Sequence, residues 1–186
     1  MEKRISISCA ALAQIKIGDK YLLMMNKGKF GPIGGALKYY DNTIPFLESL
    51  DYKPERDGED FYDLRISIPE EKWDYFKKWF SMFTWRETTV HREVIEELQP
   101  FMEKDINELK EKFLRIVEFT KHFQNDNKAG TFYKNRIFQI HSVEVPPNTV
   151  DDLIKSIEKS EDLILVTKDQ ILNKENNISG HSKHII

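Results

Sequence analysis

The sequence predicts an α+β fold in which helices are layered on both faces of a sheet (α/β/α). Apolar runs at 5–17 and 21–25, separated by Gly18-Asp19, predict two strands joined by a turn. Apolar residues at helical spacing predict a central helix over 85–98. Further strands are predicted at 114–122, 136–145 and 163–166, further helices at 104–113 and 150–159, and a loop at 125–130.

The composition predicts one globular domain over residues 1–186. Hydrophobic residues make up 40% of the chain and charged residues 32%, which supports a core and excludes a disordered chain. The net charge is −3, from 28 basic and 31 acidic residues. This balance gives no general electrostatic footprint for nucleic acid.

Cysteine usage and hydropathy predict a cytoplasmic protein. Cys9 is the single cysteine, so an internal disulfide is excluded, and its side chain is expected to be buried as a small apolar group. No apolar run approaches the roughly 18 residues that a membrane-spanning helix needs. The start Met1-Glu2-Lys3-Arg4 lacks the long apolar stretch of a signal peptide after it.

A glycine-rich segment, Phe30-Gly31-Pro32-Ile33-Gly34-Gly35-Ala36, follows the second predicted strand. Its glycines and proline exclude a regular helix. Adjacent glycines let a backbone approach a ligand closely and leave its N–H and C=O groups available for contacts. The segment therefore predicts either an ordinary tight turn or part of a ligand site.

An insertion is predicted over residues 42–84, between the glycine-rich segment and the central helix. Within it, 52–60 indicates a loop, 63–68 alternates as a strand does, and Pro69 is expected in the first turn of a helix. Four aromatic residues then recur at helical spacing, which favours core packing over a base-stacking or partner-binding surface. They are Trp73, Phe76, Trp79 and Phe80.

The central helix is predicted to begin with a capping box. Thr84 would cap its N-terminus, and Glu87, at the third helical position, would reach back to the cap. Glu87 is therefore interpreted as a capping residue rather than a metal ligand. The apolar face of the helix would consist of Val90, Val94 and Leu98.

Three carboxylates crowd the end of this helix, in Arg92-Glu93-Val94-Ile95-Glu96-Glu97-Leu98. Glu93, Glu96 and Glu97 can share one face because three- and four-residue spacings coincide on a helix. Like charges at that spacing cost roughly 0.2–0.5 kcal/mol per pair, and anions are disfavoured near a helix C-terminus. The cluster indicates a divalent-cation site, with a solvated helix face as the alternative. Ligands that are all oxygen favour Mg²⁺ or Mn²⁺ over Zn²⁺.

The C-terminus carries two histidines, His181 and His184, three residues apart. Such a pair binds metal when it lies on one helix face and a third ligand is near. No third ligand is close in the sequence, which favours an ordinary polar terminus.

The glycine pair and the acidic helix together resemble the Nudix family. The family box is a glycine, five residues, a glutamate, seven residues, and then Arg-Glu-hydrophobic-x-Glu-Glu-x-Gly. Gly35 matches the box glycine, and Gly34 matches the glycine before it. The helix half of the box is matched by Arg92, Glu93, Val94, Glu96 and Glu97.

The chain departs from that box at three places. Asp41 stands six residues after Gly35, where the family has its first glutamate. The insertion at 42–84 separates the two halves of the box. Gln99, followed by Pro100, stands where the family has its closing glycine.

Several segments resemble one Nudix variant, the SMODS-associated type found beside CD-NTases. They are Gly31-Pro32-Ile33-Gly34-Gly35-Ala36-Leu37, the split box, the Trp/Phe-rich inserted helix, Arg86-Glu87 and Gly180-His181-Ser182-Lys183-His184-Ile185. The likeness implies a role in bacterial nucleotide-signalling (CBASS-type) antiviral systems. That variant often accompanies membrane segments, so this chain would be either the soluble part of a larger protein or a free-standing relative.

The resemblance implies a Nudix-like sandwich with a mixed sheet, and Mg²⁺-dependent (or Mn²⁺-dependent) hydrolysis of a nucleoside diphosphate linked to another moiety. Glu93, Glu96, Glu97 and the carbonyl of Gly34 would be the metal ligands. Glu93 would also be the catalytic base, and Glu97 would be a second catalytic residue. Gly34 and Gly35 would contact the bound cofactor. Arg92 would pair with a carboxylate, for example Asp41, and so orient the helix.

The alternative function is a nucleotide-binding module that senses a cyclic nucleotide with little or no turnover. A protein-interaction domain that uses Trp73 and Trp79 is a third interpretation. The expected partner is a nucleotide-type small molecule, and the family also implies a homodimer with the inserted helix as a candidate interface. A further acidic ligand is expected from the C-terminal half, among Glu118, Glu144, Glu161 and Asp162.

Overall fold

The computed structural model describes residues 3–55, 58, 62–124 and 131–186. The strands are β1 Arg4–Ile17, β2 Lys20–Asn26, β3 Lys29–Gly31, β4 Lys53–Pro54, β5 Arg65–Pro69, β6 Lys110–Gln124, β7 Thr131–Glu144 and β8 Leu163–Val166. The helices are α1 Ile44–Ser49, α2 Trp73–Ser81, α3 His91–Leu98, α4 Val150–Lys159 and α5 Lys168–Asn173. Antiparallel strand pairs together with a parallel bridge, Phe30↔Ile178, make the sheet mixed. The predicted α+β class is confirmed.

The first of two compact units comprises the described residues of 1–10, 36–88 and 116–138. The start of β1 pairs with β5, from Arg4↔Pro69 to Ser8↔Arg65, and β5 pairs with β4. Alternate residues at the start of β1 and in β5 are buried, which is the pattern of strands with one face on a core. Cys9 is fully buried as predicted, and burial raises the pKa of its thiol.

The inserted helix α2 packs its aromatic stripe into the core of this unit. Phe76, Trp79 and Phe80 are at most 4% exposed, and Trp73 stacks on Phe76 with ring centroids 5.9 Å apart. Core packing is therefore confirmed for Phe76, Trp79 and Phe80. The interpretation of Trp79 as part of a partner-binding surface was wrong, because burial makes its ring inaccessible.

The second unit comprises the described residues of 11–35, 89–115 and 139–186. Here β2 pairs antiparallel with β1, β3 and β8. Helix α5 begins at a capping box, in which the Thr167 hydroxyl accepts the N–H of Gln170. The strands predicted at 5–17, 21–25 and 163–166 and the helix predicted at 150–159 are confirmed.

The C-terminus docks onto this second unit. The N–H of Ser179 donates to the carbonyl of Phe30 at 2.7 Å, and Ser182 and Ile185 are fully buried. The side chain of Gln14 donates to the carbonyl of Ile185. The expectation of an ordinary polar terminus was therefore wrong, because backbone hydrogen bonds and a buried apolar side chain fix the segment.

The central helix is shorter than predicted, because α3 begins at His91. Trp85 has φ +58°, a left-handed conformation that an α-helix does not accept. Glu87 donates its N–H to the Lys38 carbonyl at 2.7 Å, and its carboxylate accepts the Lys38 N–H at 3.1 Å. The capping box at Thr84 was wrong, because this segment binds the backbone of Lys38 instead of opening a helix.

The helix predicted at 104–113 was also wrong, because β6 begins at Lys110. The N–H groups of Glu103 and Lys104 donate to the carboxylate of Asp152, at 2.9 and 3.1 Å. A side chain on α4 thus takes up backbone donors near the start of the predicted helix. A distant residue, Asp152, therefore helps to decide the conformation of this segment, and the periodicity of the segment itself does not indicate that.

Smaller differences concern the insertion and the C-terminal half. The two-residue strand β4 lies in the predicted loop at 52–60, part of which falls outside the described residues. Pro69 ends β5 instead of entering a helix, and α5 was not predicted. The loop predicted at 125–130 lies outside the described residues. In the part of the chain that is described, no helix has the length and apolar character needed to cross a membrane.

Candidate functional site

Helix α3 carries the acidic cluster and is held by its apolar side. Val94 and Leu98 are buried, which fixes the face that turns to the core. The side chain of Glu93 is only 14% exposed, whereas that of Glu96 is 58% exposed. The three glutamates therefore differ in environment, although their spacing alone makes them equivalent.

The glycine pair lies directly against two of these glutamates. The N–H of Gly34 donates to Oε2 of Glu97 at 3.0 Å. A Cβ on Gly35 would come within 2.2 Å of Oε2 of Glu93. Gly34 itself has φ +141°, and a Cβ there would lie 2.1 Å from the carbonyl oxygen of Ala11. Both positions therefore need glycine. A side chain at Gly34 would clash with the backbone of Ala11, and a side chain at Gly35 would clash with the carboxylate of Glu93.

The loop that contains these glycines is fixed on β1. The Ala11 N–H donates to the Gly35 carbonyl at 3.0 Å, and the Ala13 N–H donates to the Ile33 carbonyl at 2.8 Å. The glycine segment is thus bonded along the strand much as an added strand would be. Consequently the Gly34 N–H has a fixed direction, toward Glu97.

Glu97 is the electrostatically strained member of the cluster. Burial raises the pKa of its carboxyl group to about 7, and the nearby charges of Glu93 and Glu96 act in the same direction. The hydrogen bond from Gly34 opposes the rise because it favours the ionised form. The result is a carboxyl group that titrates near neutral pH, beside two other carboxylates.

Arg92 pairs with carboxylates of its own helix. Its Nη2 lies 2.6 Å from Oε1 of Glu93, and its Nη1 lies 3.0 Å from Oε2 of Glu96. The expectation that Arg92 pairs with a carboxylate is confirmed with these two partners. Asp41, in the first unit, accepts a hydrogen bond from the Tyr62 hydroxyl at 2.6 Å.

In the described residues, the acidic side chains are not arranged as a metal site. Over the described ranges, no three His, Cys, Asp or Glu side chains are arranged so that they could hold a metal ion. In the arrangement described, Glu93 and Glu96 engage Arg92, and Glu97 engages a backbone N–H. Within the same described ranges, His181 and His184, whose stacked rings have centroids 6.3 Å apart, belong to no such group.

A largely buried pair, Glu111 and His141, which was not predicted from the sequence, holds the start of α3. Oε1 of Glu111, at the beginning of β6, accepts the N–H of Val90 at 3.0 Å and lies 2.6 Å from Nδ1 of His141 on β7. Burial acts to raise the pKa of Glu111, but the contacts with His141 and Val90 outweigh it and lower the pKa. His141 is 1% exposed, and its Nε2 has no hydrogen-bond partner among the described residues.

The acidic residue that contacts the start of α3 is Glu111, and which of the four candidates would supply a further metal ligand stays a prediction. Those four, Glu118, Glu144, Glu161 and Asp162, are all exposed. His141 could have indicated the contact with Glu111, because it is a polar residue at a buried position of β7, between Ile140 and Val143.

A comparison with protein families gives one match to this chain. The model of the SMODS-associated NUDIX domain covers residues 4–186. No curated protein matches the chain. The match includes the glycine pair, residues 42–84 and the acidic helix in one continuous span.

Proposed function

Because the chain belongs to the SMODS-associated NUDIX domain family, we propose that it is a Mg²⁺-dependent hydrolase of a nucleoside diphosphate linked to another moiety. The observation that carries this proposal is the seating of the acidic helix on the glycine pair. Glu97 accepts the Gly34 N–H, and the carboxylate of Glu93 occupies the space that a side chain at Gly35 would take. The Nudix-like α+β fold provides the frame for this arrangement.

The donor set fits Mg²⁺ or Mn²⁺. Glu93, Glu96, Glu97 and the carbonyl of Gly34 would hold the ion, and all of them offer hard oxygen ligands. The raised pKa of Glu97, due to burial and to its acidic neighbours, indicates negative charge that a divalent cation would neutralise. When bound, such an ion neutralises diphosphate oxygens and lowers the pKa of a bound water.

The protein's own groups have distinct roles in the proposed reaction. Glu93 accepts the proton of the attacking water, since its carboxylate is held by Arg92 on one side and by Gly35 on the other. Glu97 is oriented by the Gly34 N–H, and Arg92 orients Glu93 and Glu96 relative to each other.

A specific observation favours a second candidate, a nucleotide-binding sensor with little or no turnover. Arg92 occupies two of the three carboxylates, and no three-ligand metal group is formed within the described residues. A sensor could keep this arrangement permanently, whereas the hydrolase must exchange it for metal ligation.

Turnover measurements on two variants separate these functions. The protein is incubated with Mg²⁺ and a panel of nucleoside diphosphate derivatives and cyclic nucleotides, alongside Glu97→Gln. Glu158→Gln is the matched control, because Glu158 is an exposed glutamate on α4 of the same unit. Hydrolysis that Glu97→Gln loses and Glu158→Gln keeps supports the enzyme. Tight binding without turnover in all three proteins contradicts it and supports the sensor.

We further propose that this activity serves bacterial nucleotide-signalling antiviral defence in the cytoplasm. The family description links the domain to SMODS systems, and a buried, lone cysteine suits a reducing compartment.

We also propose that the chain forms a homodimer. Size-exclusion chromatography with light scattering tests this, and a monomer at micromolar concentration contradicts it.

A further inference from the structure

The two ends of the insertion meet in the first unit. Tyr39 and Arg86 form an antiparallel bridge, and both are buried, at 1% and 2% exposure. Next to them, the Tyr40 N–H donates to the Trp85 carbonyl at 3.2 Å. The Thr43 hydroxyl donates to the same carbonyl. The backbones of Tyr40 and Trp85 are thus fixed side by side.

Both residues present aromatic side chains to solvent. Tyr40 is 52% exposed and Trp85 is 53% exposed. Trp85 adopts φ +58°, which is an unfavourable conformation for a bulky residue. Because the indole is half exposed, its packing offsets little of the conformational energy of this positive φ. Strain of this kind is retained mainly where it positions a group for function.

A carboxylate, Asp41, directly follows Tyr40 in the chain. It begins a short 3₁₀ turn, Asp41–Thr43, and it is exposed. Its Oδ1 accepts the Tyr62 hydroxyl at 2.6 Å. A carboxylate can accept further hydrogen bonds at its remaining lone pairs, so Asp41 is oriented and still able to bind N–H donors.

We propose that Tyr40, Trp85 and Asp41 form a binding site for a heterocyclic base. The rings would stack on the flat face of the base, and Asp41 would accept an N–H group at its edge. Two half-exposed rings offer far less area than a stable protein interface, which buries about 800 Å² per partner. The site deepens the proposed function, on which it rests only for the choice of a nucleotide as the ligand.

Binding without metal tests this site separately from hydrolysis. AMP, GMP, CMP and UMP are titrated in the presence of EDTA, and saturation transfer to their base protons is measured by NMR. Ribose 5-phosphate is the probe that lacks a base. We expect saturation transfer to the bases and much weaker binding of ribose 5-phosphate. Trp85→Asn should weaken nucleotide binding about tenfold, since one stacked base contributes on that scale.

The variants are chosen so that folding is preserved. Asn tolerates left-handed φ, so Trp85→Asn removes the ring and relieves the strain, whereas Trp85→Phe should restore most of the binding. Tyr75→Ala is the matched control, because Tyr75 is a 63% exposed aromatic residue on α2. Asp41→Asn should alter the preference among the four bases.

Three outcomes overturn the inference. They are equal binding of ribose 5-phosphate and the nucleotides, equal losses in Trp85→Asn and Tyr75→Ala, and a base signal absent for all four nucleotides at millimolar concentration. Base binding without any turnover would leave this site in place and count against the hydrolase alone.

Discussion

At the scale of single residues, Glu97 makes the stability of the protein depend on pH. Its pKa is about 7 in the folded protein, against an ordinary value of 4.5. A carboxyl group with a raised folded-state pKa favours the folded state while it is protonated. Its contribution is therefore present below about pH 4.5 and is lost as the pH rises through 7.

We expect metal-free protein to lose up to about 3 kcal/mol of unfolding free energy between pH 4.5 and 8 relative to Glu97→Gln. The amide keeps an acceptor for the Gly34 N–H but cannot ionise. Urea denaturation in EDTA at several pH values measures the difference between the two proteins. A constant difference across this range would show that Glu97 has an ordinary pKa.

The two neighbouring glycines should respond differently to substitution by alanine. Gly35→Ala displaces the end of a flexible side chain, Glu93, so it should abolish the proposed hydrolysis at little cost in stability. Gly34→Ala meets the backbone of Ala11 at φ +141°, so it should cost at least about 2 kcal/mol. Thermal unfolding and turnover are measured for both variants.

The control for this pair is Gly180→Ala. Gly180 has no neighbour within 4 Å of an added Cβ, so its substitution should change neither stability nor activity. An active Gly35→Ala protein would argue against the catalytic role of Glu93.

At the scale of elements, the start of α3 depends on the buried pair of Glu111 and His141. Glu111→Gln keeps an acceptor for the Val90 N–H but removes the charge that faces His141. Because His141 is buried and the Glu111 side chain is only 13% exposed, we expect a loss of about 2 kcal/mol in unfolding free energy, measured by urea denaturation.

The control is an exposed ion pair, Lys3–Glu70, whose side chains are about half exposed. Glu70→Gln should cost less than about 1 kcal/mol. Equal costs for the two glutamine variants would mean that the pair of Glu111 and His141 does not anchor the helix.

Elements with a strong local pattern could be predicted from the sequence, and elements decided by distant partners could not. The alternation in β1 and the apolar periodicity of α4 are properties of the segments themselves. The capping box at Thr84 looked equally local, but the backbone of Lys38 binds Glu87 instead. Likewise, the backbone donors at Glu103 and Lys104 are taken up by Asp152.

The candidate site divides in the same way. Glu93, Glu96 and Glu97 could be found because helical spacing brings them together on one element. Glu111 and His141 belong to different strands, and only the fold brings them to the start of α3. No spacing in the sequence indicates that these two residues are in contact.

At the scale of the whole molecule, divalent cations should stabilise the protein. An ion that binds only the folded state at 100 times its Kd adds about 2.7 kcal/mol. For a chain of this size, that corresponds to a rise in Tm of about 5 °C or more. Scanning calorimetry with Mg²⁺ or with EDTA measures the change. Glu158→Gln should keep the rise, and an equal rise in Glu97→Gln would place the ion elsewhere.

The segment 42–84 also reduces the risk of edge-to-edge aggregation. Its strand β5 covers one edge of β1, from Arg4↔Pro69 to Ser8↔Arg65. Without β5, that stretch would present unpaired backbone N–H and C=O groups beside the buried apolar residues Ile5 and Ile7. Exposed edges of this kind recruit strands from other molecules and seed aggregation. We therefore expect a protein that lacks residues 65–69 to lose solubility.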